Sequence, residues 1–396
     1  MSIGTPFHSR LAPLNRNLQW GEWSGYLSAL TYADFHDIEY SAVRNAVGVF
    51  DVSPLYKYLV SGPDAAELVD RIVTRDARKL AVGQVLYTPW CDERGRVVDD
   101  GTVTRIGETT FRWTAAHPVW RWITMNAGGL DVEVRDVSES TAALAMQGPL
   151  SRETLKAATG EDWADVRYFR ARSSEIGGVD VDVTRTGYTG DLGYELWIPA
   201  DGAEAVWDRL AEAGASYGLR PTGLRALDVV RLEAGLILVD VDYVSVLHAE
   251  TPDHEYSPFE IGLDRLVDFG KRDFVGRRAL AAEQAAGGPH RRLAGLVLDW
   301  DDVQARFDRH GLPPAISPVV QRDPVPIYAR RSQVGRTTSL GWSPMLKQLV
   351  ALASVDPDHA AAGTRLKVEW SVEGERSTVG ATVVQLPFLD LERRRV

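Results

Sequence analysis

The 396-residue chain is 44% apolar and 25% charged, the make-up of a globular protein with room for two or three cored domains. Its 44 basic and 55 acidic residues leave a net charge of −11, which argues against a nucleic-acid partner while leaving a small anionic ligand possible at a local basic patch. The single cysteine, Cys91, excludes an intrachain disulfide and a multi-cysteine metal site and fits a reducing compartment. The first residues carry no signal-like apolar core, and no run approaches the roughly 20 apolar residues of a membrane span, so the cytoplasm is the expected location.

Residues 17–53 mix aromatic and polar side chains and end in Phe50-Asp51-Val52-Ser53. Pro63 suits a first helical turn, Ser61 and Asp64 have capping spacing, and Ala65, Leu68, Val69 and Ile72 form one apolar face, which predicts a helix there. Strands follow at 84–90, 96–106 and 110–116, the first two joined by a turn at Glu93-Arg94-Gly95. Asp99 and Asp100 close the second of these apolar runs. Strand alternation sends them to opposite faces, so at most one can enter a given pocket, and a solvated strand end is the commoner fate of such a pair. Further strands are predicted near 131–137 and 142–147.

Asp201 is placed to cap a helix reaching Gly218, with Val206, Trp207 and Leu210 on one face. Residues 223–235 form a second helix, apolar on most sides and therefore buried. Its polar row of Arg225, Asp228 and Arg231 reads most simply as an internal ion-pair network. In the stretch 240–256, His248, Glu250, Asp253, His254 and Glu255 gather, but there is no HExxH or cysteine pairing and Pro252 breaks any helix that would align ligands. No metal is expected; an exposed acidic loop or a substrate lid is. Residues 285–291, with Gly287-Gly288-Pro289, read as a linker. Beyond it the pattern is almost wholly strands and turns, a separate all-β domain ending in a frayed, charged 392–395.

The densest stretch is 185–199, RTGYTGDLGYELWIP, with Gly187, Gly190 and Gly193 at even spacing, Tyr188 and Tyr194, and one carboxylate, Glu195. Three such glycines imply a tight loop pressed against something flat. Tyrosines can cover an aromatic face, and a carboxylate can accept two donors from one planar group. A pterin edge answers that description. A plain hairpin with turn glycines and a solvated Glu195 answers it equally well.

The stretch RTGYTGDLGYE resembles the signature of the glycine cleavage system T-protein family, the folate-dependent aminomethyltransferases and their demethylase relatives. Other pieces follow in that family's order. They are 50–53, the tract from Gly83 through Leu86-Tyr87 to Val98-Asp99-Asp100, and Met146-Gln147-Gly148-Pro149. Leu224-Arg225-Ala226-Leu227-Asp228 and 231–235 come next, then Ser257-Pro258 before 272–277. The resemblance implies an α+β, three-domain fold around a central folate channel. A first domain would comprise 1–55 plus 140–245, a ferredoxin-like second domain 56–139 plus 246–284, and a C-terminal β-barrel 285–396.

It further implies transfer of a one-carbon unit, here a methyl from a small methylated substrate, to tetrahydrofolate. Asp99, the first of the pair, is selected as the catalytic carboxylate, with Glu195 on the pterin edge and Tyr87 and Tyr188 beside it; Arg231, apart from the ion-pair reading of its helix, is a candidate to meet an anionic part of the folate. Departures from the family pattern fall at Tyr40, at Pro54-Leu55 and at Thr114, Ala115, Ala116 and His117. They direct attention to Tyr40, His117, Tyr243 and His248 as donor-side residues. Two alternatives are a glycine-cleavage aminomethyltransferase working with a lipoyl carrier protein, and a non-catalytic folate-binding or iron–sulfur assembly factor. The last would carry a cysteine in the glycine-rich motif, where this chain has Thr186-Gly187-Tyr188. No nucleotide-binding glycine fingerprint is present, so a fused flavin oxidase is not expected.

Overall fold

A computed structural model describes residues 2–395. Besides a two-stranded sheet of Trp20–Trp23 and Tyr26–Ala29, three larger β-systems organise them. The first sheet has six strands in the order Ala171–Ile176, Val179–Thr184, Gly193–Pro199, Thr141–Gln147, Val47–Asp51, Leu219–Pro221. The second has five, in the order Gln84–Cys91, Val97–Gly107, Thr110–Ala115, Tyr56–Ser61, Glu133–Asp136. The third is a closed barrel of six strands drawn from Arg292–Leu298 to Glu375–Val384. The strand-rich tail read from the sequence is this barrel.

Thr141–Gln147 (TAALAMQ) is buried along nearly its whole length because both of its faces are covered. Ala142, Leu144 and Met146 join the core under the helix Ala203–Gly214. Ala143 and Ala145 face the other way, toward Tyr40, Phe50 and the helix Leu224–Glu233. The second sheet buries one face under the helix Ala65–Ile72, where Leu68, Val69 and Ile72 pack on Tyr58, Trp90 and Trp113.

Three local expectations shift. Asp64 does not cap its helix; its carboxylate accepts from the Asp131 N–H at 2.9 Å, tying the helix start to the approach of the strand Glu133–Asp136. A short 3₁₀ turn, Ala200–Gly202, takes up Asp201, so the next helix begins at Ala203 without a side-chain cap. The barrel also carries a helix, Trp300–Asp308, where the sequence reads as strands and turns. Asp299 accepts from the N–H groups of Asp301 and Asp302 and so starts it, and Val303 and Phe307, four apart, anchor it in the barrel core.

Candidate active site

Alternation along Gly193–Pro199 decides where the motif points. Tyr194, Leu196 and Ile198 enter the core, while Glu195 and Trp197 lie on the opposite face. The motif glycines do press against something flat, but it is the Gln147 side-chain amide. A Cβ at Gly187 or Gly193 would stand 2.0 or 2.3 Å from it, and Gly190, at φ +69°, would meet Ala234. Gln147 is held between them, donating to Thr186 O (3.2 Å) and accepting from Thr189 (2.8 Å). The glycines thus serve packing within the protein, and the packed loop aims Glu195 outward.

Glu195 is half-buried. Thr186 donates to one carboxylate oxygen, and burial holds the group's pKa above the ordinary glutamate value, against the pull of that hydroxyl and of Arg112. Arg112, on the second sheet, is 5% exposed and lies with its guanidinium 4.6 Å over the Trp197 ring. Nη1 donates to Asp182 at 2.7 Å, whereas Nε and Nη2 are buried with no partner. A part-satisfied acceptor therefore stands near unsatisfied planar donors, the pairing that a flat heterocycle with donor and acceptor edges would complete.

The two adjacent aspartates separate as alternation requires. In the register of the hairpin Asp99 pairs with Trp90 and Asp100 with Pro89. Asp99 is 0% exposed; Oδ1 accepts from the Asp100 N–H (2.8 Å), and Oδ2 from Ala116 and His117 N–H (3.0 and 2.9 Å). Asp100 is half-buried on the face of Tyr87 and accepts from the Tyr87 hydroxyl (2.6 Å) and the Tyr243 hydroxyl. Burial, and then Asp100, push Asp99 up to about 7, and burial also raises Asp100. Among the described residues no Lys or Arg forms an ion pair with either. Of the two carboxylates Asp100 is the more exposed. Asp99, selected from the sequence, is sealed behind the strand with both oxygens taken by backbone donors.

Tyr188 is half-buried, its hydroxyl donating to Ile237 O. Burial raises the Tyr188 phenol, and Asp100 and Tyr87 are among the titratable groups near it. Tyr243 is 1% exposed and holds Asp100 in place; it does not stand at an open loop tip.

His117 and His248 approach each other with ring centroids 4.5 Å apart. His117 Nε2 lies 2.7 Å from Asp240, whose bond, together with the charge of Asp99, raises the imidazole pKa although burial works the other way. Two assignments are corrected by placement. Tyr40 is a core residue, 5% exposed, that donates to Glu233 (2.6 Å), the acid also held by Arg44 at 2.7 Å. Arg231 is fully buried, with its guanidinium spent on Asp228 (2.8 Å), Asp242 (2.6 Å) and Ser339 (2.7 Å). It is the ion-pair network of the plain reading, completed by Asp242 and by Arg322 on Asp228; Arg225 turns away to Gln19.

The stretch 240–256 is accordingly two things. Asp242, Tyr243 and Ser245 are buried and strap the connection down, whereas Leu247, His248 and Glu250 are exposed. Sequence reasoning passed over Asp100, Arg112 and Asp240. The first was not countable: centring the tight turn at 93–95 sets Asp99, opposite Pro89, on the face of Tyr87, and the bulge between Trp90 and Cys91 shifts the register so that Asp100 takes that face instead. Arg112 and Asp240 meet their partners only across the fold.

Family models match the chain over almost its whole length. The GCVT N-terminal domain covers residues 12–271, and the glycine cleavage T-protein C-terminal barrel domain covers 291–390. An aminomethyltransferase of Moorella thermoacetica is 37% identical over 93% of both chains. A trimethylamine-oxide aldolase of Ruegeria pomeroyi is 37% identical over all of this chain, which spans 48% of that longer protein. The crystal structure of the glycine cleavage system aminomethyltransferase T from Bartonella henselae superposes with a TM-score of 0.82 at 26% identity, covering 98% of this chain and 99% of that one. The chain belongs to the glycine cleavage T-protein family and has its three-domain fold. Its class is that of the family, the folate-dependent one-carbon transferases. No helix among the described residues is long and apolar enough to cross a membrane.

Proposed function

We propose that the chain transfers a methyl unit from a small, positively charged methylated donor to tetrahydrofolate, with Asp100 as the carboxylate at the reacting centre. The observation that carries this reading is the setting of Asp100: half-buried, oriented by two tyrosine hydroxyls and paired with no basic side chain. Such a group keeps its negative charge available for a cation in an enclosed, aromatic-walled space.

Tetrahydrofolate supplies the accepting nitrogen when bound, and the residues fit it. Glu195 offers an acceptor to the donor edge of the ring, and the unpaired Nε and Nη2 of Arg112 offer donors to a ring carbonyl. Tyr87 and Tyr188 provide apolar faces whose hydroxyls are already satisfied. Asp100 stabilises positive charge that develops at the transfer and holds or relays the proton displaced there. Tyr87 and Tyr243 keep its oxygens from rotating away.

The relative named for trimethylamine oxide puts methylated amines first among donors to try. A second reading, aminomethyl transfer from a lipoyl carrier protein, is favoured by the end-to-end match to proteins named aminomethyltransferase. Incubation with tetrahydrofolate and a panel of donors, including quaternary methylammonium compounds, smaller protonated methylated amines, the neutral trimethylamine oxide for contrast and an aminomethylated lipoyl carrier, separates the readings by the folate product. Methyltetrahydrofolate supports the first, and methylenetetrahydrofolate with ammonia from the carrier supports the second. No turnover by wild type on any donor sinks both.

A further inference from the structure

We propose that His117, Asp240 and His248 bind a divalent first-row transition-metal ion as a two-histidine, one-carboxylate set. Their ligand atoms all lie within 4.8 Å of one another. They come from three places: His117 directly after the strand Thr110–Ala115, Asp240 at a residue with φ +62°, and His248 in the exposed run beyond the strap. His117 Nε2 is 2.7 Å from Asp240 Oδ2, and His248 Nδ1 is 3.9 Å from Asp240 Oδ1. The rings meet edge to face at 80°, so each can turn a nitrogen toward the shared carboxylate. The Asp240 and His248 side chains are 49% and 48% exposed, so an ion has an entry path and open positions for water.

A second observation lies on the far side of His117. Its Nδ1 is buried with no hydrogen-bond partner and stands 3.9 Å from Asp99 Oδ2. A histidine that gives one nitrogen to a metal keeps its proton on the other, and ligating histidines turn that N–H toward a carboxylate or carbonyl. Asp99 is such a carboxylate, fixed by three backbone N–H groups and closed off from ligand. It orients His117 as His117 holds the ion. Imidazole with carboxylate suits zinc, cobalt(II) or iron(II), whereas calcium and magnesium ask for oxygen ligands. The ion would clasp the connection through Asp240 and His248 to the end of the second sheet, beside the tyrosine that orients Asp100.

The test uses the full chain, stripped with a chelator and titrated with cobalt(II) or zinc(II) alone, with no folate or donor. One equivalent should bind, with visible cobalt absorption. Asp240→Ala and His248→Ala, both at exposed positions, should weaken binding by about 100-fold or more, and Asp99→Asn by about 10- to 100-fold. His254→Ala, a nearby histidine outside the set, should bind as wild type does. Absence of saturable binding, or binding unchanged in both Asp240→Ala and His248→Ala chains that melt normally, overturns the site. An Asp99→Asn chain of normal stability and undiminished affinity overturns the orienting role of Asp99. Loss of turnover with metal binding intact would bear on the folate reading alone.

Discussion

The two sides of the candidate active site are buried to similar depth and differ in the charges they enclose. On the Glu195 side the enclosed groups include cations. Arg112 lies over Trp197 with two nitrogens unpaired, and Lys57, 0% exposed, donates to Ser53 O at 2.6 Å and Ser138 O at 3.3 Å. On the Asp100 side they are anions, Asp99 and Asp100, with tyrosines and His117 around them. Burial pushes Lys57 down to about 8 and Asp99 up to about 7, the same desolvation acting on opposite charges. The first side sets an acceptor, Glu195, beside the unpaired donors of Arg112, and the second holds two carboxylates that no Lys or Arg among the described residues pairs with.

The comparison breaks most sharply at the aspartate pair. Asp100→Asn keeps the shape and removes the charge, so turnover should fall by about 10²–10⁴, the range of a positioned acid–base group. Melting temperature should change little, because one tyrosine hydroxyl keeps the amide oxygen as its acceptor and the other can accept from the amide NH₂. Asp99→Asn should cost stability more than rate. Steady-state kinetics beside thermal melts decide it, and a dead Asp99→Asn enzyme with an active Asp100→Asn partner would reverse the assignment.

Next in size is the strap between the walls. Asp242→Ala takes from the fully buried Arg231 one of its two carboxylate partners, leaving Asp228 alone, and should destabilise the protein by about 3–5 kcal/mol in denaturant unfolding. Replacing the exposed 247–251 with glycine and serine should leave unfolding nearly unchanged. Equal losses in the two variants would show that the division of this stretch into strap and exposed loop is wrong.

The cationic wall can be sharpened by pH. The folded-state pKa of Lys57 lies near 8, below its ordinary 10.5. Below pH 8 both states are charged and the penalty of burial is constant. Between pH 8 and 10.5 the folded protein sheds this proton while the unfolded chain keeps it, so its contribution to stability climbs, by up to about 3 kcal/mol. Lys57→Met should lack that climb. Parallel stability–pH curves for the two proteins would mean that the lysine is charged in the fold.

The smallest effect concerns Glu195. Its removal as Glu195→Ala deletes a charge-assisted acceptor worth about 1.5–3 kcal/mol, roughly 10- to 150-fold in tetrahydrofolate affinity. Titration calorimetry reads it directly. Unchanged affinity would reduce this wall to hairpin packing.

What the sequence determined by itself was whatever local periodicity and contiguous motifs encode. The helix Ala65–Ile72 follows from one apolar stripe, the strand-rich tail from its run of strands and turns, and the Glu195 loop from a motif whose parts lie within fifteen residues. Alternation also required Asp99 and Asp100 to part, and they do. What alternation could not say is which face meets the ligand. That depends on what packs there: Ala116 and His117 close over Asp99, while Tyr87 and Tyr243 leave Asp100 half open. Tertiary structure likewise made Gln147 the flat object between the glycines and gave Arg231 to Asp242. It also gathered His117, Asp240 and His248 from positions that no spacing rule connects. Each of these is a pairing between segments remote in sequence, set by the docking of sheets and connections against one another. A period of 2 or 3.6 residues carries information about a residue's own element and none about the partner across the cleft.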